Sequence, residues 1–350
     1  MQKINVGIIG CGSITKHRHA PEYAENPFVN EIVFFDRNFE RAQNMANEFG
    51  GRAVRTIEEL LDDDSIVAIS DCSPNHLHHV NTTRALLSGK HVLCEKPISI
   101  TVDKAQEVLK AQEQSGKILM VDHNQRFTKA HQKVKELIDT KELGEVLTFK
   151  TTFGHQGPEQ WSIDKSNATW FFKKERSYSG VAGDLGIHKI DLIHYLLSDE
   201  ITEVKGFHGA LNKLDENGEP IEVCDNVVCS MKTEKGRLGT ASFSWTYYGS
   251  EDNSTTLYCE GGIIKIYQDP VSQVIVETKA GEVIKYELEQ IQTNDNQTKT
   301  GVMDNFVDAI INNKKPLVTG KDAISSLKVI ESILGETKGQ VGKLYLNNLG

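Results

Sequence analysis

Lys96 is the residue whose neighbours in the sequence most clearly indicate chemistry. It lies between Glu95 and Pro97, directly after the apolar run His91–Cys94. Pro97 disfavours the α-helical region for the residue before it, so Lys96 is expected to extend from the end of a strand. Ligands of parallel sheets bind beyond the carboxyl ends of the strands, where a lysine can supply a positive charge. Lys96 could also carry a proton if burial lowers its pKa.

A glycine-rich turn near the start of the chain predicts a nucleotide site. Gly10 and Gly12 follow the apolar run Ile4–Ile9 and precede a predicted helix that begins near Ser13. Gly10 permits a tight turn, and Gly12 lets backbone N–H groups approach a pyrophosphate. The third position of this dinucleotide pattern is Thr15 rather than glycine or alanine, which should loosen the packing of the strand against the helix.

An acidic residue at the end of the second predicted strand supports the nucleotide site. Asp36 follows the run Glu31–Phe35, 24 residues after Gly12, where a carboxylate can accept hydrogen bonds from ribose hydroxyls. A carboxylate repels a 2′-phosphate and so favours NAD, but Arg37 could bind that phosphate, and NADP stays possible. The predicted cofactor site at this end comprises Gly10, Gly12, Ser13, Ile14, Asp36 and Arg37.

A second cluster of titratable side chains lies near the start of a predicted helix over 183–197. Asp184 and His188 are four residues apart, hence neighbours on one helical face, and Asp191 follows three residues later. A carboxylate one turn from an imidazole can orient the ring and raise its basicity, as a general base requires. The spacing also fits an amphipathic helix in which Asp184 is an N-terminal charge and His188 a satisfied core residue. No set of residues has the spacing of zinc ligands, so we expect no metal.

The apolar pattern predicts a two-domain protein of the α/β class. In residues 1–123, apolar runs of four to six residues alternate with helical segments, which is typical of βαβ units and a parallel sheet. In residues 124–350, most of the segment 203–288 alternates as strands do, with helical patterns grouped around it. This part is predicted to be an α+β domain with an open, mainly antiparallel sheet. The boundary is expected near residues 122–125.

Composition excludes several kinds of partner. The 350 residues are 38% hydrophobic and 25% charged, as in ordinary globular proteins. Their net charge of −10 argues against binding to nucleic acid or to an anionic membrane. No apolar stretch approaches the roughly 20 residues that span a bilayer, and because the first residues lead directly into a strand pattern we expect no signal peptide. The six scattered cysteines indicate buried free thiols, and a cytoplasmic location is expected.

Five motifs occur in one order along the chain. They are the Gly10–Gly12 turn, Cys72–His78, Cys94–Pro97, Asn124–Phe127 and the pair Asp184-x-x-x-His188. Together they resemble the Gfo/Idh/MocA family (glucose–fructose oxidoreductase and inositol dehydrogenase), and the resemblance covers essentially the whole chain. It implies a Rossmann domain that binds NAD or NADP. The second domain would cover the active site with its open sheet and mediate homodimers or homotetramers.

The resemblance also implies roles for individual residues. His188 would be the general base that takes the proton of a secondary hydroxyl, and Lys96 would position and polarise the same oxygen. Asp184 would contact the substrate or support His188. Glu95 would sit near the nicotinamide ribose. The cofactor contacts implied beyond the glycine turn are Ser73, Pro74, Asn75, His78, Glu95 and Lys96.

Substrates of the family are sugars, cyclitols and their derivatives, and we expect an inositol-like polyol. Candidate residues for the substrate pocket are Asn124 and Arg126, after the last Rossmann strand, and His155 and Trp161 in the loop 154–161. Trp161 could stack against a sugar ring, and His155 could bind a hydroxyl. Alternatively, the loop is a surface excursion with its aromatic residues packed on the sheet, and Arg126 pairs with an acid between the domains.

Two other functions stay open at the level of the sequence. Some relatives use bound NAD transiently to eliminate and cleave a glycoside, so that no free NADH accumulates. A non-catalytic sensor would bind nucleotide and sugar to regulate a partner. Such a sensor need not keep a proton-transfer set, whereas this chain has Lys96, Asp184 and His188 together.

Overall fold

A computed structural model describes residues 3–162, 165–288 and 299–335, which form two sheets with helices around them. The strands of the first sheet are all parallel and lie in the order β3-β2-β1-β4-β5-β6. The order reverses between β1 and β4, which creates the crevice where ligands of such sheets bind. The predicted parallel sheet is therefore confirmed. Its strands are β1 (Ile4–Ile9), β2 (Val29–Phe35), β3 (Arg52–Val54), β4 (Ile66–Asp71), β5 (His91–Cys94) and β6 (Leu119–Val121).

Local sequence signals begin and end the helices that connect these strands. Thr56 begins α3, because its Oγ1 accepts a hydrogen bond from the backbone N–H of Glu59 at 3.2 Å. Gly116 ends α5 with a φ of +65°, in the left-handed region that favours glycine. A π-helical turn, Thr15–His19, follows the glycine turn. The α-helices are α1 (Ala20–Glu25), α2 (Phe39–Phe49), α3 (Ile57–Leu61), α4 (Asn75–Leu87) and α5 (Val102–Ser115).

The second sheet has eight described strands in the order β14-β13-β12-β11-β7-β10-β9-β8. Among their pairings, β7 with β10 is parallel and the others are antiparallel, which confirms the predicted mainly antiparallel sheet. The strands are β7 (Val146–Gly154), β8 (Ile201–Gly209), β9 (Asn226–Thr233), β10 (Leu238–Ser244), β11 (Thr255–Cys259), β12 (Gly262–Ile266), β13 (Val274–Thr278) and β14 (Val283–Tyr286).

The remaining helices join the two sheets. Val302 and Phe306 of α10 are buried in one cluster with residues of the first sheet, and α11 packs against α5, α9 and β8. The chain thus returns to the first sheet near its end, and the domain boundary near residue 123 stays a prediction. Short 3₁₀ turns cover Asn124–Phe127 and Trp170–Phe172, and a second π-helical turn covers Ala182–Gly186. The helices are α6 (Lys129–Asp139), α7 (Pro158–Trp161), α8 (Lys174–Ser177), α9 (Ile187–Leu197), α10 (Val302–Ile311) and α11 (Gly320–Gly335).

The two faces of the second sheet differ in burial. Along β9, Val227, Cys229 and Met231 are buried beneath helices, whereas the alternate residues Val228 and Ser230 are exposed. Helices α6, α9 and α11 pack on this sheet, and the apolar alternation places its core on one side. None of the described helices is both long and apolar enough to cross a membrane. The six cysteines are free thiols, and five of them are buried.

Candidate active site

A cleft of about 570 Å³ lies where the second sheet meets the carboxyl ends of β1, β5 and β6. The turn after β1, the loop after β5 and the segment after β6 form its Rossmann side. The end of β7 and the start of α9 form the opposite side. The predicted site residues that line it are Ser13, Ile14, Glu95, Lys96, Asn124, His155, Trp161, Asp184 and His188.

Lys96 reaches across the cleft to Asp184. Its Nζ donates hydrogen bonds to Asp184 Oδ1 at 2.9 Å and to the backbone oxygen of Asp184 at 2.8 Å. The other carboxylate oxygen, Oδ2, accepts a hydrogen bond from Nε1 of the fully buried Trp245 at 3.0 Å. Both oxygens of Asp184 are therefore in use, and one N–H of the Lys96 ammonium is left for a ligand.

His188 lies in the first turn of α9, and its ring centroid is 5.9 Å from that of Phe153. Its Nδ1 is buried with no hydrogen-bond partner among the described residues, so Nε2 is the nitrogen available to the cleft. Burial, followed by the charge of Lys96, holds the pKa of His188 well below its ordinary value of 6.5. The ring is therefore neutral near pH 7 and can accept a proton.

The structure contradicts the prediction that Asp184 orients His188. Asp184 belongs to the π-helical turn Ala182–Gly186, where residues four apart do not stack as they do in an α-helix. Its carboxylate turns to Lys96 and Trp245 instead, and no hydrogen bond joins it to His188. Asp184 thus binds Lys96 and Trp245 rather than the imidazole of His188.

Glu95 belongs to a buried ionic cluster on the Rossmann side. His19 Nε2 lies 3.0 Å from Glu95 Oε1 and 3.6 Å from Asp122 Oδ2. Burial opposes a charge on His19, but Cys72, Asp122 and Glu95 outweigh burial and raise its pKa well above 6.5. Burial likewise opposes ionisation of Glu95, but His19 lowers its pKa to about 2. One ligand atom from each of His19, Glu95 and Asp122 lies within 4.8 Å of the others, and in this structure the three side chains are arranged as buried ion pairs.

The glycine turn fits a nucleotide. Gly10 has a φ of +94°, and a Cβ there would lie 2.7 Å from the backbone oxygen of Cys72, so glycine is required. A Cβ at Gly12 would meet no atom within 4 Å, which is room that a phosphate can fill. Thr15 is fully buried, and its Oγ1 donates to the Gly10 oxygen at 2.6 Å, so the packing here is close despite the missing third glycine. Asp36 lies beside the turn and accepts a hydrogen bond from the Cys11 N–H at 2.8 Å.

Comparisons with known proteins identify the family. Residues 4–123 match the model described as "Oxidoreductase family, NAD-binding Rossmann fold", and residues 131–265 match the "GFO/IDH/MocA C-terminal domain". The chain belongs to the Gfo/Idh/MocA family. The predicted family, the oxidoreductase class and the NAD-binding Rossmann fold are therefore confirmed.

Named relatives act on sugars and inositol. Levoglucosan dehydrogenase of Pseudarthrobacter phenanthrenivorans is 29% identical over 297 residues, covering 77% of this chain and 75% of the relative. The scyllo-inositol 2-dehydrogenase (NAD(+)) of Bacillus subtilis is 23% identical, covering 93% and 92%. A solved structure of levoglucosan dehydrogenase with NADH and levoglucosan has a TM-score of 0.85 at 22% identity, covering 96% and 97%. That last similarity shows the shared fold.

Some residues expected at the cofactor lie inside the protein. His78 is buried, with Nδ1 at 2.7 Å from the Pro97 oxygen and Nε2 at 2.6 Å from the Ser73 oxygen. Ser73 donates through Oγ to Asp71 Oδ1 at 2.6 Å. His78 therefore ties the loop after β4 to the loop after β5 and does not line the cleft, and its contact with the cofactor stays a prediction. The cleft also does not extend to Asp36, Arg37, Ser73, Pro74 or Asn75.

Arg126, which is predicted to bind substrate, does not line the cleft. Its guanidinium is buried and donates to both carboxylate oxygens of Asp191, at 2.8 Å from Nε and 2.7 Å from Nη2. A third contact reaches Asp322 at 3.6 Å. Arg126 thus pairs with an acid, as the alternative stated above expects, but Asp191 and Arg126 both lie in residues 124–350 rather than in different domains. Its neighbour Asn124 does line the cleft.

The loop 154–161 contributes an aromatic wall. Trp161 lies at the cleft, with its ring 6.2 Å from that of His155 and 5.0 Å from that of Phe171. Trp170 stacks on Phe171 at 3.8 Å and does not line the cleft. The loop is therefore part of the site rather than a surface excursion.

Several residues of this site were not predicted, among them His19, Asp122, Trp245 and Asn253. His19 and Asp122 follow β1 and β6 in the chain, and a carboxylate directly after a strand is a signal that could have identified Asp122. Trp245 and Asn253 carry no local signal, because their partners Asp184 and Lys189 are more than 60 residues away.

Proposed function

We propose that this protein catalyses hydride transfer between nicotinamide and a secondary hydroxyl of a sugar or cyclitol. The observation that carries the proposal is the pairing of a neutral His188 with the Asp184-bound ammonium of Lys96 in one cleft beside the glycine turn. Relatives named as dehydrogenases of levoglucosan and of scyllo-inositol support the substrate class.

The proton and the charge are handled by residues of this chain. The chemistry that bound NAD supplies is acceptance of a hydride from the carbinol carbon. His188 Nε2 accepts the hydroxyl proton as general base. The free N–H of Lys96 donates to the same oxygen and stabilises the negative charge that develops on it. Asp184, held by Trp245, keeps the ammonium in place during this step.

The cofactor would extend from Gly10 and Gly12 to the cleft, with Glu95 and Lys96 near the nicotinamide ribose. Asp36 beside the turn supports a preference for NAD over NADP, since its carboxylate would repel a 2′-phosphate. Values of kcat/KM with both cofactors test this preference, and a higher value for NADP would overturn it.

A panel of inositols, hexoses, 1,5-anhydrohexoses and hexose glycosides, with NADH absorbance and product formation both measured, tests the proposed function. We expect reduction of NAD⁺ with at least one cyclic polyol, inositol-like polyols being the leading candidates. No reduction of either cofactor by any compound would refute dehydrogenase activity. Cleavage of a glycoside without accumulation of NADH would instead support the transient-redox alternative.

The protein would act as a homodimer or homotetramer assembled through the open face of its second sheet. Phe207 and Val228 are paired across β8 and β9 on this face and are 75% and 61% exposed. Exposed aromatic and β-branched neighbours on a sheet face favour association with a second such face. A cytoplasmic location remains the prediction of the sequence.

A further inference from the structure

Asn253 lines one side of the cleft and has no role in the proposed proton and hydride transfer. It lies in the loop between β10 and β11, lines the cleft and is half-buried. Its Oδ1 accepts a hydrogen bond from Gln125 Nε2 at 3.2 Å, and its backbone oxygen accepts one from Lys189 Nζ at 2.8 Å. Within the described part of the chain, its Nδ2 has no hydrogen-bond acceptor, which leaves an amide donor at the cleft surface.

Lys189 holds this side of the cleft from the protein interior. Its side chain is fully buried, and Nζ binds the Asn253 oxygen and, at 3.3 Å, Thr255 Oγ1, both of which are uncharged. The ammonium also lies 5.8 Å from the centre of the Phe153 ring. These two hydrogen bonds fix the backbone of Asn253 to the interior side of the sheet.

Lys189 directly follows His188 in α9. The first turn of α9 therefore positions His188, the proposed proton acceptor. Through the side chain of Lys189 it also positions Asn253 on the opposite side of the cleft. Gln125 supplies the second restraint from the segment after β6, on the Rossmann side. Asn253 is thus fixed relative to both the general base and the cofactor domain, which is what recognition of one particular hydroxyl requires.

We propose that Asn253 is a substrate-binding residue whose Nδ2 donates a hydrogen bond to a ring hydroxyl oxygen away from the reacting carbon, and that Lys189 and Gln125 position it. The inference rests on the proposed function and narrows its substrate to a neutral polyhydroxylated ring. A hydroxyl oxygen suits this donor because the amide offers direction without a charge.

The test measures kcat and KM for the most active polyol of the panel and for its monodeoxy analogues. In Asn253→Ala we expect KM for the parent polyol to rise about tenfold while kcat stays within about twofold, as for loss of one hydrogen bond. With the wild type, one deoxy analogue should have a KM about as much higher than that of the parent polyol. For this analogue, Asn253→Ala and the wild type should have the same KM. Asn47→Ala, on the exposed face of α2, is the matched control.

Lys189→Met tests the positioning role. It should raise KM for the parent polyol, and the double variant with Asn253→Ala should be no worse than Asn253→Ala alone. If Lys189→Met does not fold, the analogue series with Asn253→Ala decides alone. The role of Asn253 is overturned if the wild type oxidises a polyol but Asn253→Ala leaves its KM unchanged. It is also overturned if the rise in KM caused by Asn253→Ala adds to that of every deoxy analogue. In both cases the proposed function is kept. If the wild type oxidises no polyol, both are overturned.

Discussion

At the scale of the residue, the site depends on the proximity of a cationic lysine to a histidine that stays neutral. Lys96 is held by the carboxylate of Asp184, and its positive charge disfavours a second charge on His188. Burial adds to this effect and is the larger cause. A general base must be unprotonated before the reaction, so this arrangement would extend the proposed activity of His188 to lower pH.

Removal of the Lys96 charge should raise the pKa of His188 towards 6.5. In Lys96→Met this repulsion disappears, and burial together with the charges of His123, Arg18 and Lys189 still lowers the pKa of His188. Titration of the His188 ring resonance by NMR measures this in both proteins, without any need for activity. Lys110→Met, an exposed change on α5, should leave the titration unaltered. An equal or lower pKa in Lys96→Met would contradict the electrostatic coupling.

Trp245→Phe should lower kcat/KM about tenfold to a hundredfold, while the protein stays folded. The change keeps most of the buried ring but removes the Nε1 donor to Asp184 Oδ2, and a hydrogen bond to a charged group is worth about 1.5–3 kcal/mol. Steady-state kinetics and the melting temperature separate loss of positioning from loss of folding. Unchanged kcat/KM would show that Asp184 does not need this support.

At the scale of the element, the regular structure could be predicted and the long-range contacts could not. The bounds of β1, β5, α2 and α10 agree with the periodicity of their apolar residues. Strand β3 was missed because three residues show no alternation. No sequence signal indicates the π-helical turn before α9. Because of this turn, the four-residue spacing of Asp184 and His188 led to the wrong prediction that Asp184 orients the imidazole. Local patterns predict which residues end a strand, but not which partner from a distant segment faces them.

The helix α9 should carry an unusual dependence of stability on pH through Lys189. Burial, against the opposing charges of Asp252 and Glu251, lowers its pKa from 10.5 to about 7. Between these two values the unfolded chain binds a proton that the folded protein does not, so this lysine makes the folded state more stable as pH rises. Relative to Lys189→Met, the unfolding free energy of the wild type should increase by about 1.4 kcal/mol per pH unit.

Urea unfolding of both proteins between about pH 7.5 and 9.5 measures that difference. All other titrating groups are common to the two chains, so their contributions cancel in the comparison. A difference that is flat across this range would mean that Lys189 keeps its proton in the folded state.

At the scale of the whole molecule, the two faces of the second sheet differ. The inner face lies towards the cleft, and no described helix packs on the outer face. Register pairing places Phe207 beside Val228 on the outer face. Tyr258 lies farther along the same face and is also exposed. The inner face joins the core that continues into the first sheet. Assembly through the outer face would therefore leave the cleft open to substrate.

The double variant Phe207→Asp, Val228→Asp should be monomeric. Two like charges on each facing surface would repel and would lose the apolar burial that drives association. Light scattering after size exclusion gives the mass, and circular dichroism checks the fold. Val271→Asp, at an exposed position in the loop between β12 and β13, is the control and should keep the wild-type mass. An unchanged mass for the double variant would place the interface elsewhere, or show that the wild type is itself a monomer.

Lys96 and His188 are proposed to carry out proton transfer at the reacting hydroxyl of a polyol. The most direct measurement is the rate of NADH formation from the most active polyol by the wild type, Lys96→Ala and His188→Ala. Binding of NAD and the melting temperature are measured on the same preparations. General base catalysis contributes typically about 10²–10⁴-fold, so both variants should lose at least about a hundredfold in kcat while they still fold and bind NAD. Normal turnover in both variants would contradict the account.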